Sequence, residues 1–234
     1  MKKIVILIIA LSVVMSACVK TKEPIRFSIL GDSYSTYKGY VHPDSNDVFP
    51  YDEIGVTGVE QMWWQQVADS RDWLLERNNS FSGSLICNMN VADYYGPFPF
   101  IRRMNNLGNP NVIFILGGTN DVWNDAPFGD YVYSDWTDEQ LCTFRPALAY
   151  LLDNMKRLYP SAKLYFLLET NPCPDGIELE TRLKLIESTH RITRHYNVDC
   201  IDLYEVHKRR WHPDVQGQKD IAVQVLEFLA SENL

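Results

Sequence analysis

The chain has 234 residues, 46% of them apolar and 22% charged, with a net charge of −8. That length and balance describe a globular chain with room for a substantial core and exclude a disordered or low-complexity one. The acidic surplus and the lack of any basic stripe exclude nucleic acid as a partner.

Lys2 and Lys3 precede an apolar run over residues 4–14. The run is too short to span a bilayer comfortably and has the pattern of an export leader. Met15-Ser16-Ala17-Cys18 resembles a bacterial lipobox, although Met15 stands where leucine is usual. Residues 1–17 are therefore expected to be a lipoprotein signal peptide, with Cys18 lipidated and residues 18–24 a short tether. An ordinary cleaved signal peptide is the plainer alternative. The protein would then be anchored in the bacterial envelope, on a periplasmic or cell-surface face. Export permits disulfides among Cys87, Cys142, Cys173 and Cys200, but no spacing fixes a pairing and buried free thiols are an equal alternative.

Residues 25–30 form an apolar run that leads straight into Gly31-Asp32-Ser33-Tyr34-Ser35, which reads as a buried strand ending in a turn. The turn would present the Ser33 hydroxyl outward with its own N–H beside it. Residues 36–56 are loop, rich in proline, aspartate, asparagine and tyrosine. Thr57 to Glu60 has the spacing of a capping box, which predicts a helix carrying Val59, Met62, Trp63 and Val67 on one face. Adjacent tryptophans cannot share that face, so either Trp63 or Trp64 is expected to point elsewhere. A short strand over 73–76 leads into a polar loop, 78–84, that offers backbone N–H groups.

The clearest strand is 111–116, apolar throughout as expected where both faces are covered. It ends in Gly117-Gly118-Thr119-Asn120-Asp121. Thr137 opens a helix whose apolar face runs from Leu141 to Leu158 despite Pro146. A strand over 163–168, a charged helix over 180–196, a strand over 198–203 and a helix over 215–229 complete the chain. The alternation implies a mainly parallel, five-stranded sheet with helices on both faces, formed by one domain over residues 25–234.

Four segments now fall into order: Gly31-Asp32-Ser33, Ser82-Gly83, Gly117-Gly118-Thr119-Asn120-Asp121, and His212-Pro213 with Gly217. Together they resemble the four blocks of SGNH (GDSL-type) hydrolases, over residues 25 to the C-terminus. The resemblance implies a flavodoxin-like three-layer α/β/α fold and a serine esterase without cofactor or metal. It implies Ser33 as nucleophile and His212 as its base. The oxyanion donors would be the N–H groups of Ser33 and Gly83 and the Asn120 amide.

One position departs from the pattern. The family usually has aspartate three residues before the histidine, and here that residue is Arg209, which cannot accept a hydrogen bond. Three accounts follow: a Ser–His dyad whose ring a backbone carbonyl holds, an acid reaching it from elsewhere (Glu205 or Asp202), or an impaired enzyme; the carbonyl-held dyad is preferred. The expected substrate is a short acyl ester, acetyl foremost, on a carbohydrate or cell-wall polysaccharide. Export, the acidic charge and the aromatic insertions around residues 37–51, 94–98 and 123–136 motivate that choice. A silent glycan-binding lipoprotein and a lipase or thioesterase are the alternatives.

Overall fold

The computed structural model describes residues 23–41, 48–49, 51–89, 98–171 and 176–232. The leader, Cys18, His42, Tyr94, Tyr95 and Cys173 lie outside the described residues. The strands are β1 (Arg26–Gly31), β2 (Leu74–Ser80), β3 (Val112–Leu116), β4 (Lys163–Glu169) and β5 (Asp199–Leu203). They pair in parallel, in the order β2-β1-β3-β4-β5. The helices are α1 (Trp63–Arg71), α2 (Phe100–Arg103), α3 (Thr119–Trp123), α4 (Asp138–Leu141), α5 (Phe144–Leu158), α6 (Leu179–His195) and α7 (Val215–Ser231). Among the described residues no helix is long and apolar enough to cross a membrane.

Strand parity builds the three layers. Leu30, Ile113, Ile115, Leu164, Phe166 and Leu168 face α2, α5 and α6. Their neighbours Phe27, Ile29, Phe114, Leu116, Tyr165 and Leu167 face α1 and α7. Because successive side chains alternate faces, unbroken apolar runs are what a sheet covered on both sides requires. Each such side chain, fully buried, contributes roughly 1.5–3 kcal/mol of transfer free energy. The chain leaves β1 toward β2 on one side, while β3 pairs on the other side. The crevice outside the carboxyl ends of β1 and β3 is thus the switch point where ligands bind in open α/β sheets.

Several local expectations change. The helix starts at Trp63, after a 3₁₀ turn at Val59–Gln61, because the Gln61 side chain accepts from Thr57 N (2.7 Å) and Gly58 N (3.1 Å). Trp63 and Trp64 are both fully buried, since the chain after β1 folds over the second one. Both indoles donate to Ser35, one to its hydroxyl and one to its carbonyl, each at 3.1 Å. Strand β2 continues through Asn78-Asn79-Ser80 instead of turning at Asn78. The two asparagine amides are satisfied there by Ser35 O (2.8 Å) and Arg103 O (2.9 Å). The long helix from Thr137 is two helices, and Pro146 falls in the first turn of α5, where its missing N–H costs nothing.

Candidate active site

The turn that carries Ser33 is built from buried hydrogen bonds. A Cβ on Gly31 would lie 2.6 Å from Ser80 Oγ and 2.9 Å from Ser35 Cβ, so only glycine lets the chain turn there. Asp32 Oδ1 accepts from Tyr34 N (3.0 Å) and Asp32 O from Ser35 N (3.1 Å), closing the turn around Ser33. The Ser33 carbonyl accepts from Thr36 Oγ1 at 3.2 Å and from the Tyr51 hydroxyl. Arg103, buried, crosses beneath: its guanidinium donates to Gly31 O (3.0 Å), Asn79 O, Phe98 O (2.7 Å) and Ser84 Oγ (2.9 Å). One side chain therefore fastens the ends of β1 and β2 to the loop that holds Gly83.

Gly83 occupies that loop with φ +74°, a left-handed conformation glycine adopts without strain. The Asp121 carboxylate joins the loop to the end of β3 by accepting from Ile86 N (2.9 Å) and Cys87 N (3.1 Å). Asn120, in the first turn of α3, donates from Nδ2 to Ser84 O at 3.1 Å and more weakly to Asp32 Oδ2 at 3.4 Å. Asp32 is fully buried, and loss of solvation raises its carboxyl to about 7, against the opposing pull of the Tyr34 N–H and of Arg103.

The histidine sits on a separate device. Strands β6 (Lys208–Arg209) and β7 (His212–Pro213) form a two-residue hairpin, with Arg209 paired to His212. Arg210 and Trp211 turn it at φ +50° and +62°, positions that two-residue hairpins usually give to asparagine and glycine. Tyr34 donates its hydroxyl to Trp211 O at 2.9 Å, and Arg210 pairs with Glu53. Lys208, its side chain 9% exposed, ties the base of the hairpin to the end of β4 through Glu169 (3.2 Å) and Asn171 O (3.0 Å).

The hairpin brings His212 Nε2 to 3.0 Å from Ser33 Oγ. Nδ1 lies 3.0 Å from Arg210 O. A carbonyl can only accept, so Nδ1 carries the proton and Nε2 is the free base facing the serine. Phe49 stacks on the ring at 3.5 Å and 13°, and Tyr34 meets it edge-on at 5.6 Å. Desolvation by this packing lowers the imidazole to about 4, offset in part by the Arg210 carbonyl. The base is therefore neutral at pH 7.

Of the acids entertained as orienting groups, neither Asp202 nor Glu205 is a hydrogen-bond partner of the ring. Asp202 is held by His190 Nε2 (2.7 Å) and the Tyr204 hydroxyl (2.9 Å). With Cys200 and His190 it forms a compact group of three potential ligands, which their sequence spacing did not reveal. Cys87, Cys142 and Cys200 are free thiols. Of the aromatic insertions, Phe128, Tyr131, Tyr133 and Trp136 pack against the core beside α5 and α6. Tyr37, Phe49 and Tyr51 line a cavity of about 440 Å³. Sequence reasoning missed Arg103, Phe49 as the cover of the imidazole, and the hairpin itself, whose turn at Arg210-Trp211 lacks the residues that two-residue turns favour.

The family model described as GDSL-like Lipase/Acylhydrolase matches residues 25–229. A crystal structure from Bacteroides ovatus described as a GDSL-like lipase has 43% identity and a TM-score of 0.82, covering 90% of this chain and 100% of its own. A second, from Bacteroides uniformis, has 40% identity and a TM-score of 0.80, with 89% and 96% covered. A family two carbohydrate esterase from Clostridium thermocellum, solved in complex with cellohexaose, shares the fold at 16% identity and a TM-score of 0.62, with 90% and 66% covered. None of the curated proteins matches.

Proposed function

Because the chain belongs to the GDSL-like lipase/acylhydrolase family, and so to hydrolases that act on esters, we propose that Ser33 and His212 are a catalytic dyad that removes short acyl groups, acetyl foremost, from a carbohydrate or cell-wall polysaccharide. The observation that carries it is the 3.0 Å contact between Ser33 Oγ and His212 Nε2, with the other ring nitrogen bound to a carbonyl.

In this reading Nε2 takes the Ser33 proton as Oγ attacks the ester carbon. The tetrahedral oxyanion is met by the N–H groups of Ser33 and Gly83 and by the Asn120 amide. The Asn120 hydrogen held at 3.4 Å by Asp32 is the one a substrate oxygen captures, most easily while Asp32 is protonated. The imidazolium then returns its proton to the leaving alkoxide. Water repeats the sequence on the acyl-enzyme, restoring Ser33 and releasing the acid. The Arg210 carbonyl performs the orienting task of an aspartate without supplying a full negative charge. Carbohydrate as the alcohol part rests on the aromatic residues near the dyad, since a shared fold alone carries no substrate. We further propose export through residues 1–17 and lipid anchoring at Cys18. Labelled palmitate incorporated by wild type and lost in Cys18→Ala would support that; equal labelling would refute it.

Acetate release from acetylated xylan tests the chemistry. Ser33→Ala should lose about 10³-fold or more of the rate, the scale on which dismantling a serine–histidine pair acts. Equal rates in the two proteins would end the proposal. Rates on nitrophenyl esters that climb with acyl-chain length would transfer the chain to the lipases.

A further inference from the structure

Two tryptophans stand in solvent beside the proposed site. Trp123 is 45% exposed and Trp211 57% exposed, and their rings meet at 5.2 Å and 43°. They come from different elements. Trp123 lies three residues after Asn120 on α3, hence on the same helical face. Trp211 immediately precedes His212 in the hairpin.

Two further observations bear on this pair. Trp63, Trp64 and Trp136 each donate the indole N–H to an acceptor inside the protein. Trp123 and Trp211 make no such bond among the described residues; the buried Trp73 makes none either, so it is the exposure of Trp123 and Trp211 that leaves their indoles open to a ligand. Trp211 is also held at φ +62°, a conformation costly for a bulky residue, next to a second left-handed residue. The chain thus spends backbone strain to keep a large apolar ring out of its own core.

We infer that Trp123 and Trp211 form a platform for the sugar ring that carries the scissile ester, an inference that rests on the esterase reading above. A pyranose has an apolar C–H face to lie on an indole and hydroxyl oxygens to accept from the indole N–H. An acyl chain offers the first but not the second. The adjacency to Asn120 and His212 puts the platform at the rim of the dyad, leaving the acyl carbon to reach Ser33.

The experiment compares kinetics on acetylated xylo-oligosaccharides and on nitrophenyl acetate, with indole fluorescence on adding unacetylated xylohexaose. Trp123→Ala should lower the ratio of kcat/KM for the oligosaccharide over nitrophenyl acetate about 5–10-fold, chiefly through KM, as the loss of one aromatic contact implies. Trp211→Ala should do the same; if it also loses nitrophenyl acetate activity through damage to the hairpin, Trp123→Ala decides. Wild-type fluorescence should shift with xylohexaose and stay still in the double variant. An unchanged ratio in Trp123→Ala, or no fluorescence response in wild type, overturns the platform. Failure of wild type to release acetate from any oligosaccharide would instead overturn the carbohydrate reading of the esterase.

Discussion

The serine and histidine reach each other from mounts of opposite construction. Ser33 ends a central strand, and its turn is locked by Asp32, Thr36, Tyr51 and, from below, the four-way clamp of Arg103. His212 sits on a six-residue hairpin, its ring held by one turn carbonyl and one aromatic stack, and the hairpin itself by Tyr34, Glu53 and the Lys208 ties to Glu169 and Asn171. The contrast teaches that the Ser33 hydroxyl is fixed by the core, whereas the His212 ring is placed by a small hairpin outside the five-stranded sheet.

The largest effect should come from the locked side. Arg103→Leu removes the four hydrogen bonds the guanidinium donates, although Gly31 O keeps Phe81 N and Phe98 O keeps Ser84 Oγ, and should cost about 3–5 kcal/mol, as the loss of several hydrogen bonds from a buried charged group does. Denaturant unfolding measures it, and a cost under 1 kcal/mol would show that the clamp is ornamental. On the other side, Lys208→Met should cost about 1–3 kcal/mol because Glu169 is left buried without its cation, keeping only the Asn171 N–H. Activity should fall further than stability explains. In the double variant with Glu169→Gln part of both losses should return, a coupling read by a mutant cycle.

The pH profile separates the mounts next. Burial depresses His212 to about 4, so the neutral base persists as pH falls from 7 and is lost only on passing through about 4. The acid limb of kcat/KM attributable to His212 should accordingly lie near pH 4. Phe49→Ala admits water to the ring and should move that limb toward the ordinary histidine value near 6.5. A limb already near 6.5 in wild type would remove Phe49 from the account. The smallest effect is expected at the departure from the family pattern. Since Nδ1 is already bonded to Arg210 O, Arg209→Asp should change kcat/KM by less than about 3-fold, against about 10⁴ for corrupting the carboxylate of a serine protease. A tenfold gain would mean that the carbonyl is a poor substitute.

The same division governs what could be read from residues alone. Strands β1 and β3 are unbroken apolar runs, and Ser33 and Asn120 lie just past their ends, so the position of the sheet's switch point was legible in the sequence. His212 could be singled out only as the last of the four ordered blocks of the family resemblance, since His-Pro before a helix is by itself an ordinary cap. The carbonyl that holds its ring was inferred only because Arg209 cannot. A main-chain oxygen has no side-chain signature, and a hairpin turned by Arg210-Trp211 contradicts the preferences by which turns are recognised. Arg103 carries no sequence signal, because the groups it binds, at the ends of two strands and in the loops at Ser84 and Phe98, come together only in the folded chain. Asn78 and Asn79 read as loop for the converse reason: their amides are satisfied by backbone that only the folded chain brings near.

The left-handed turn at Arg210-Trp211 has an engineering corollary. Replacing the pair by Asn-Gly, the residues that conformation favours, should raise the melting temperature by relieving backbone tension, in the manner of other consensus substitutions. The same exchange would strip the rim of its indole, so thermal hardening and discrimination among natural polymers would be bought at each other's expense within two adjacent codons.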